Sequence, residues 1–137
     1  MSYLIDTVVV SEVARGRPDR AVLAWFEAVA DQQLYLSVLS VGEIRKGIEK
    51  LPASKRRSQL AAWLENDLPA WFGPRLLPID IAIAECWGRL LAASSRSLPA
   101  IDSLLAATAL THGLVLVTRN VADFDIPGLE VADPWRA

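Results

Sequence analysis

One cysteine and one histidine occur among 137 residues, and lysine appears only as Lys46, Lys50 and Lys55. A lone Cys86 excludes an internal disulfide and a thiolate zinc cluster, and a lone His112 excludes an imidazole-rich metal site. Whatever chemistry this chain performs has to run on carboxylates. Neither a GxGxxG nor a GxxxxGK[ST] run occurs, so folds that cradle nucleotide phosphates on a glycine-rich loop are set aside. A receiver-type phosphoacceptor domain needs a lysine at the end of a late strand, and all three lysines fall mid-chain. The uncharged runs are too short, or too broken by Pro and Ser, to span a bilayer, and no basic stretch precedes a cleavable apolar one at the N-terminus. A cytoplasmic protein is expected. There is no low-complexity tract and no internal repeat.

What is present is a core. Hydrophobic residues make up 53% of the chain and charged residues 22%, with five Trp, which is the composition of a packed globular protein. The length suits one domain over residues 1–137, able to bury roughly two-thirds of its unfolded surface. Net charge is only −2, yet six of the 14 basic residues (Arg45, Lys46, Lys50, Lys55, Arg56, Arg57) fall within 13 positions, opposed by Glu49 alone. That run reads either as a solvated helix face or as a surface for phosphates or a partner.

Periodicity alternates along the chain. "YLIDT" and "LYLSVL" are short, apolar and β-rich, while "RAVLAWFEAVA" carries Val22, Trp25, Phe26 and Val29 at helical spacing. "SVGEIRKGIEKL" reads as a helix with Ser40 and Glu43 in capping-box spacing, and "KRRSQLAAWLENDL" as another with Leu60, Trp63 and Leu64 on one face. "RLLPI" is a short strand. Asp80 is placed to cap a helix through "IAIAECWGRLLAAS", with Ile83, Trp87, Leu90 and Leu91 inward. Pro99 introduces "AIDSLLAATALTHG", ended by Gly113, and the strands "LVLVT" and "LEVAD" follow. Strands alternating with helices predict a three-layer α/β/α sandwich around a central, mostly parallel sheet of four to five strands.

Ligands of such sheets bind at the carboxyl ends of the strands. Asp6 ends the first strand, Glu43 and Asp102 sit in first helical turns, and Asp123 closely follows the "LVLVT" strand, so all four map to that edge. Singly, Glu43, Asp102 and Asp80 also read as caps favoured by the helix macrodipole, and Asp123 as a turn residue. Asp6 resists this, because it ends a strand and begins no obvious long helix. Gathered together, carboxylates repel by about 1–4 kcal/mol per close pair, so a fold that collects them needs a cation. All-oxygen donors select Mg2+ or Mn2+, ions suited to phosphate-ester hydrolysis. His112 reads as a C-terminal helix residue and Cys86 as packing; Trp25, Trp71 and Trp135 are candidates for a partly exposed partner contact.

The segments "YLIDTVVVSEVARG", "LSVGEIRKGI" and "LPAIDSLLAATALTHGLVLVTRNVADF" resemble those of PIN-domain ribonucleases, specifically VapC-type toxins of bacterial toxin–antitoxin pairs. The resemblance runs nearly end to end. It implies a metal-dependent endoribonuclease whose Mg2+ or Mn2+ is held by Asp6, Glu43, Asp102 and Asp123, with Asp125 as an alternative fourth ligand. It also implies an RNA substrate, an antitoxin protein that blocks the site, and both a homodimer and a toxin–antitoxin hetero-oligomer. Thr7 and Asn120 are expected to support the ligands, and Arg119 to meet a substrate phosphate. One departure stands out: Val8 occupies a position where the family usually has Asn or Ser, a loss that would loosen Asp6. A module that binds antitoxin or RNA without efficient cleavage is the competing reading.

Overall fold

The computed structural model describes residues 1–136. Its strands are β1 (Tyr3–Ile5), β2 (Leu34–Ser37), β3 (Leu76–Leu77), β4 (Val115–Val117) and β5 (Val131–Ala132). All pair in parallel, in the order β3-β2-β1-β4-β5, so β1 is central. The helices are α1 (Thr7–Glu12), α2 (Arg20–Ala28), α3 (Val38–Glu49), α4 (Lys55–Ala62), α5 (Leu68–Phe72), α6 (Ile81–Ala93) and α7 (Ala100–His112).

Side chains alternate across each strand, and that alternation divides the core in two. Ile5, Leu34, Leu36 and Val117 point to one face, where they meet Val9 and Val10 of α1, Ile44 and Ile48 of α3, and Leu68 and Phe72 of α5. Leu4 and Leu116 point to the other, against Leu105, Ala106 and Ala109 of α7. A sheet buried on both faces is the expected α/β/α sandwich, with five strands, all parallel.

Several boundaries differ from expectation. Asp6 does cap a helix, the short α1, by accepting from the Thr7 N–H at 2.7 Å. Helix α3 begins at Val38 and its cap is Ser37, whose hydroxyl accepts from Leu39 N–H at 3.1 Å, so Ser40 is no cap and Glu43 lies beyond the first turn. The predicted helix from Lys55 continues to Phe72 through a widened turn at Trp63–Asp67, where the Leu68 N–H reaches back to the Trp63 carbonyl. Pro69 explains the widening, since it has no N–H to donate and its ring crowds the preceding turn.

Leu91, expected inward, is exposed, while Leu90 and Trp87 are half-buried and Ile83 fully buried. Helix α6 thus presents a narrower apolar stripe than its composition suggests. Cys86 is half-buried rather than in the core. Trp25 and Trp71 belong to an aromatic chain, with Trp25 edge-on to Tyr3 and Phe26 at 5.2 Å and Trp71 at 4.7 Å from Phe72. Gly113 closes α7 in the left-handed region at φ 64°, its N–H turned to the last carbonyls, and His112 is an exposed residue of the last turn. Among the described residues no helix is long and apolar enough to cross a membrane.

Candidate metal centre

The register of the two central strands builds the site. Ile5 pairs with Val117, and the Asp6 N–H bonds the Val117 carbonyl at 2.9 Å, so the next residues on both strands, Asp6 and Thr118, emerge side by side at the carboxyl edge. Thr118 is fully buried and its hydroxyl donates to Asp6 Oδ2 at 2.7 Å, while Oδ1 accepts from Thr7 N–H. Asp6 is only 7% exposed, yet both of its oxygens are satisfied. These bonds offset part of the cost of a charge at the end of a core strand.

Glu43 reaches the same place from α3. The Thr7 hydroxyl donates to Glu43 Oε1 at 2.5 Å, and the Ser40 hydroxyl lies 2.8 Å from Thr7 Oγ1. A hydroxyl has one proton, so with Thr7 donating to Glu43 it is Ser40 that donates to Thr7. Ser40 is fully buried and forms a chain, Ser40 to Thr7 to Glu43, that aims the carboxylate. The capping-box spacing concealed this role.

Asp102 sits in the first turn of α7, half-buried, and Asp123 is exposed in a 3-10 turn over Val121–Phe124. Burial raises the Asp102 pKa above 3.8, and so do the negative charges of Asp6, Asp123 and Glu43. Burial likewise raises Asp6, against the lowering effect of the Thr118 and Thr7 hydrogen bonds, with Glu43 adding to the rise. The four predicted acids therefore share one field. Asp125 is not among the charges acting on Asp102; its backbone carbonyl faces Arg96 instead.

As they stand, the side chains are splayed: among the described residues no three Asp, Glu, His or Cys groups converge tightly enough to chelate an ion. The donor set nonetheless fits a hard divalent cation. It is all oxygen, two of its acids are desolvated and raised by their neighbours, and each Asp6 oxygen, with one hydrogen bond accepted, keeps a lone pair for an ion. Asn120 supports the loop through its backbone, donating to Thr118 Oγ1 at 3.1 Å and accepting from Asp123 N–H at 3.0 Å. Arg119 is exposed, beside Asp123, with its guanidinium 4.8 Å from the centre of the Trp135 ring.

The basic run divides. Arg45 is paired with Glu65 at 2.7 Å, Arg57 with Glu49 at 3.0 Å, and Arg56 donates to the Ala14 carbonyl. Lys46 and Lys50 instead share with Glu43 and Thr7 a concavity of about 680 Å3. Composition and spacing did not single out Thr118, whose signal was a polar residue ending a strand otherwise apolar throughout, and they assigned Ser40 to a cap rather than to Thr7.

The profile of the PIN domain matches residues 3–125, a span that contains all four acids. The chain belongs to the PIN-domain family. This PIN domain is 40% identical over 136 residues to the VapC ribonuclease Y4jK of Sinorhizobium fredii, covering 96% of each chain. It is 32% identical over 135 residues to the toxin FitB of Neisseria gonorrhoeae, covering 96% of this chain and 97% of that one. Its fold superposes on a chain of the FitAcB crystal structure from Neisseria gonorrhoeae with a TM-score of 0.89 at 31% identity, covering 98% and 99% of the two chains.

Proposed function

We propose that this PIN domain is a metal-dependent endoribonuclease that acts as the toxin of a type II toxin–antitoxin pair. The observation that carries the reading is the meeting of Asp6 and Glu43 on Thr7 at the carboxyl edge of the central strands, with Asp102 in the first turn of α7 and Asp123 in the turn after β4. These four are the proposed ligands, of Mg2+ or Mn2+. When bound, such an ion neutralises the phosphodiester and makes a neighbouring water more acidic. The chain's own part is preorganisation: Thr118 and Thr7 fix Asp6, and Ser40 with Thr7 aims Glu43. Asp102 and Asp123 approach from α7 and the 3-10 turn. Hydrolysis by water then cleaves the phosphodiester with no covalent enzyme intermediate.

The proposed partners are an RNA substrate, a cognate antitoxin and a second copy of the chain, within a single domain over 1–137 working in the cytoplasm. A groove of about 330 Å3 that includes Ile44, Ile48, Leu51, Leu60 and Trp63 supports the antitoxin reading, and its rim carries Glu43 and Thr7, so an occupant there lies against the acids. Names of the relatives, a VapC ribonuclease and the toxin FitB, point the same way.

Val8 motivates the second reading, a binding module with weak cleavage. It is 42% exposed in the first turn of α1. The hydrogen bonds that hold Asp6 and Glu43 come from Thr118, Thr7 and Ser40, which leaves the active reading the better one. Purified antitoxin-free protein incubated with total RNA decides between them. Discrete cleavage that requires Mg2+ or Mn2+, stops with EDTA and is lost in Asp6→Asn is expected; a folded, metal-binding protein that leaves RNA intact selects the binding module.

A further inference from the structure

Arg119 carries a positive charge beside the carboxylates that no acid among the described residues neutralises. Among the described residues it joins no ion pair, whereas Arg45, Arg57, Arg89 and Arg136 each face an acid within 4.0 Å. Its guanidinium lies 4.8 Å from the centre of the Trp135 ring instead. Trp135 is a firm seat: it is half-buried, it packs against the cluster containing Ile5 and Val117, and its backbone N–H bonds Asp133 Oδ1 at 2.9 Å. An arginine stacked on an aromatic face keeps its in-plane N–H donors free, and the stack removes much of the rotamer freedom that binding would otherwise have to restrict.

The position of this stack gives it a use. Arg119 directly follows Thr118, the residue that holds Asp6, and it shares with Asn120, Asp123, Asp133 and Arg136 a concavity of about 630 Å3. Asp133 is already engaged by Arg136, at 3.8 Å, and by the Trp135 N–H. Arg119 and Arg136 are the two cations of this concavity, and Arg119 is the one that follows Thr118 directly and is seated on an aromatic ring. An RNA strand crossing four carboxylates is repelled at every phosphate that a bound ion does not neutralise.

We propose that Arg119, seated on Trp135, clamps an RNA phosphate flanking the scissile one on the Asp123 side of the site. Arg119 makes the contact with substrate; Trp135 is a positioning residue that acts through it. The inference rests on the ribonuclease reading above and adds a subsite to it.

The test uses the full chain and a fluorescent single-stranded RNA oligonucleotide, with cleavage measured in Mn2+ and binding measured by anisotropy in an Asp6→Asn background. Arg119→Ala is expected to raise KM and Kd about tenfold with the loss falling on KM rather than kcat, and to lower the slope of log K against log salt by about 0.7, the value for one phosphate contact on a single strand. Trp135→Ala is expected to raise Kd by several-fold, and Trp135→Phe, which keeps an aromatic face, to restore most of it. The Mn2+-induced rise in melting temperature is expected to stay as in wild type in Arg119→Ala, which separates the clamp from the metal ligands. Arg119 is exposed, so its replacement removes its contact with Trp135 but no buried core side chain, which keeps the test valid if Trp135→Ala fails to fold. Wild-type cleavage with an unchanged salt slope and KM in Arg119→Ala overturns the clamp alone. Absence of cleavage and binding in the wild type removes the ribonuclease reading, and the clamp with it.

Discussion

The Thr118 hydroxyl donates to Asp6 Oδ2 at 2.7 Å, a contact between residues 112 positions apart that the in-register pairing of β1 and β4 makes unavoidable. It is the bond that lets a carboxylate stand at the end of a buried strand. Thr118→Val removes the donor with almost no change of volume and leaves a buried charge short of a partner. The expected loss is about 1–3 kcal/mol of stability in metal-free protein, read by urea unfolding. Mn2+ affinity is expected to fall about 10–100-fold. Thr118→Ser is expected to recover most of both.

The raised pKa values set a pH dependence with a definite sign. Asp6 and Asp102 both titrate above 3.8 in the fold, so between that value and their raised values the native state holds more protons than the unfolded chain. Stability of the metal-free protein therefore falls as pH rises through this window. Saturating Mn2+, which binds the ionised oxygens, is expected to reverse the slope. Urea midpoints across the window, with EDTA and with Mn2+, check both signs; a flat or rising metal-free profile contradicts the account.

Lys46 and Lys50 border the same concavity as Glu43, whereas Arg45 and Arg57 are held by acids. Changing Lys46 and Lys50 together to Ala is expected to weaken RNA binding and to lower its salt slope by about 1.4, two contacts' worth. The triple change of Lys55, Arg56 and Arg57 to Ala, drawn from the most concentrated part of the basic run, is expected to move the slope less. Equal effects from both variants assign the whole run to phosphate contact.

Gly113 provides a control remote from the acids. Its φ of 64° suits glycine, and Gly113→Ala is expected to cost about 1 kcal/mol of stability while leaving the Mn2+-induced rise in melting temperature unchanged.

Much of this arrangement was legible in the chain. The alternation of β-rich and helical periods specified the sandwich because core strands and amphipathic helices each impose their own spacing, and the acids fell at strand ends where such folds expose them. The misreadings share one cause. Ser40 and Glu43 satisfy a local capping rule that Ser37 in fact fulfils, and the hydroxyl of Ser40 is turned to Thr7, 33 residues away. Thr118 likewise gains its meaning only from a neighbouring strand. Pairings across the fold leave no local periodicity, and Trp25, Trp71 and Trp135 meet Tyr3, Phe26 and Arg119 by the same long-range route.

Calorimetric titration of Mn2+ into the EDTA-treated protein tests the central claim, that the four acids act as one cation centre. Saturable binding in the wild type, strongly weakened in Asp6→Asn and Asp102→Asn alike and unaffected in Asp125→Asn, is the predicted result. Binding of equal affinity in wild type and in both site variants would contradict it.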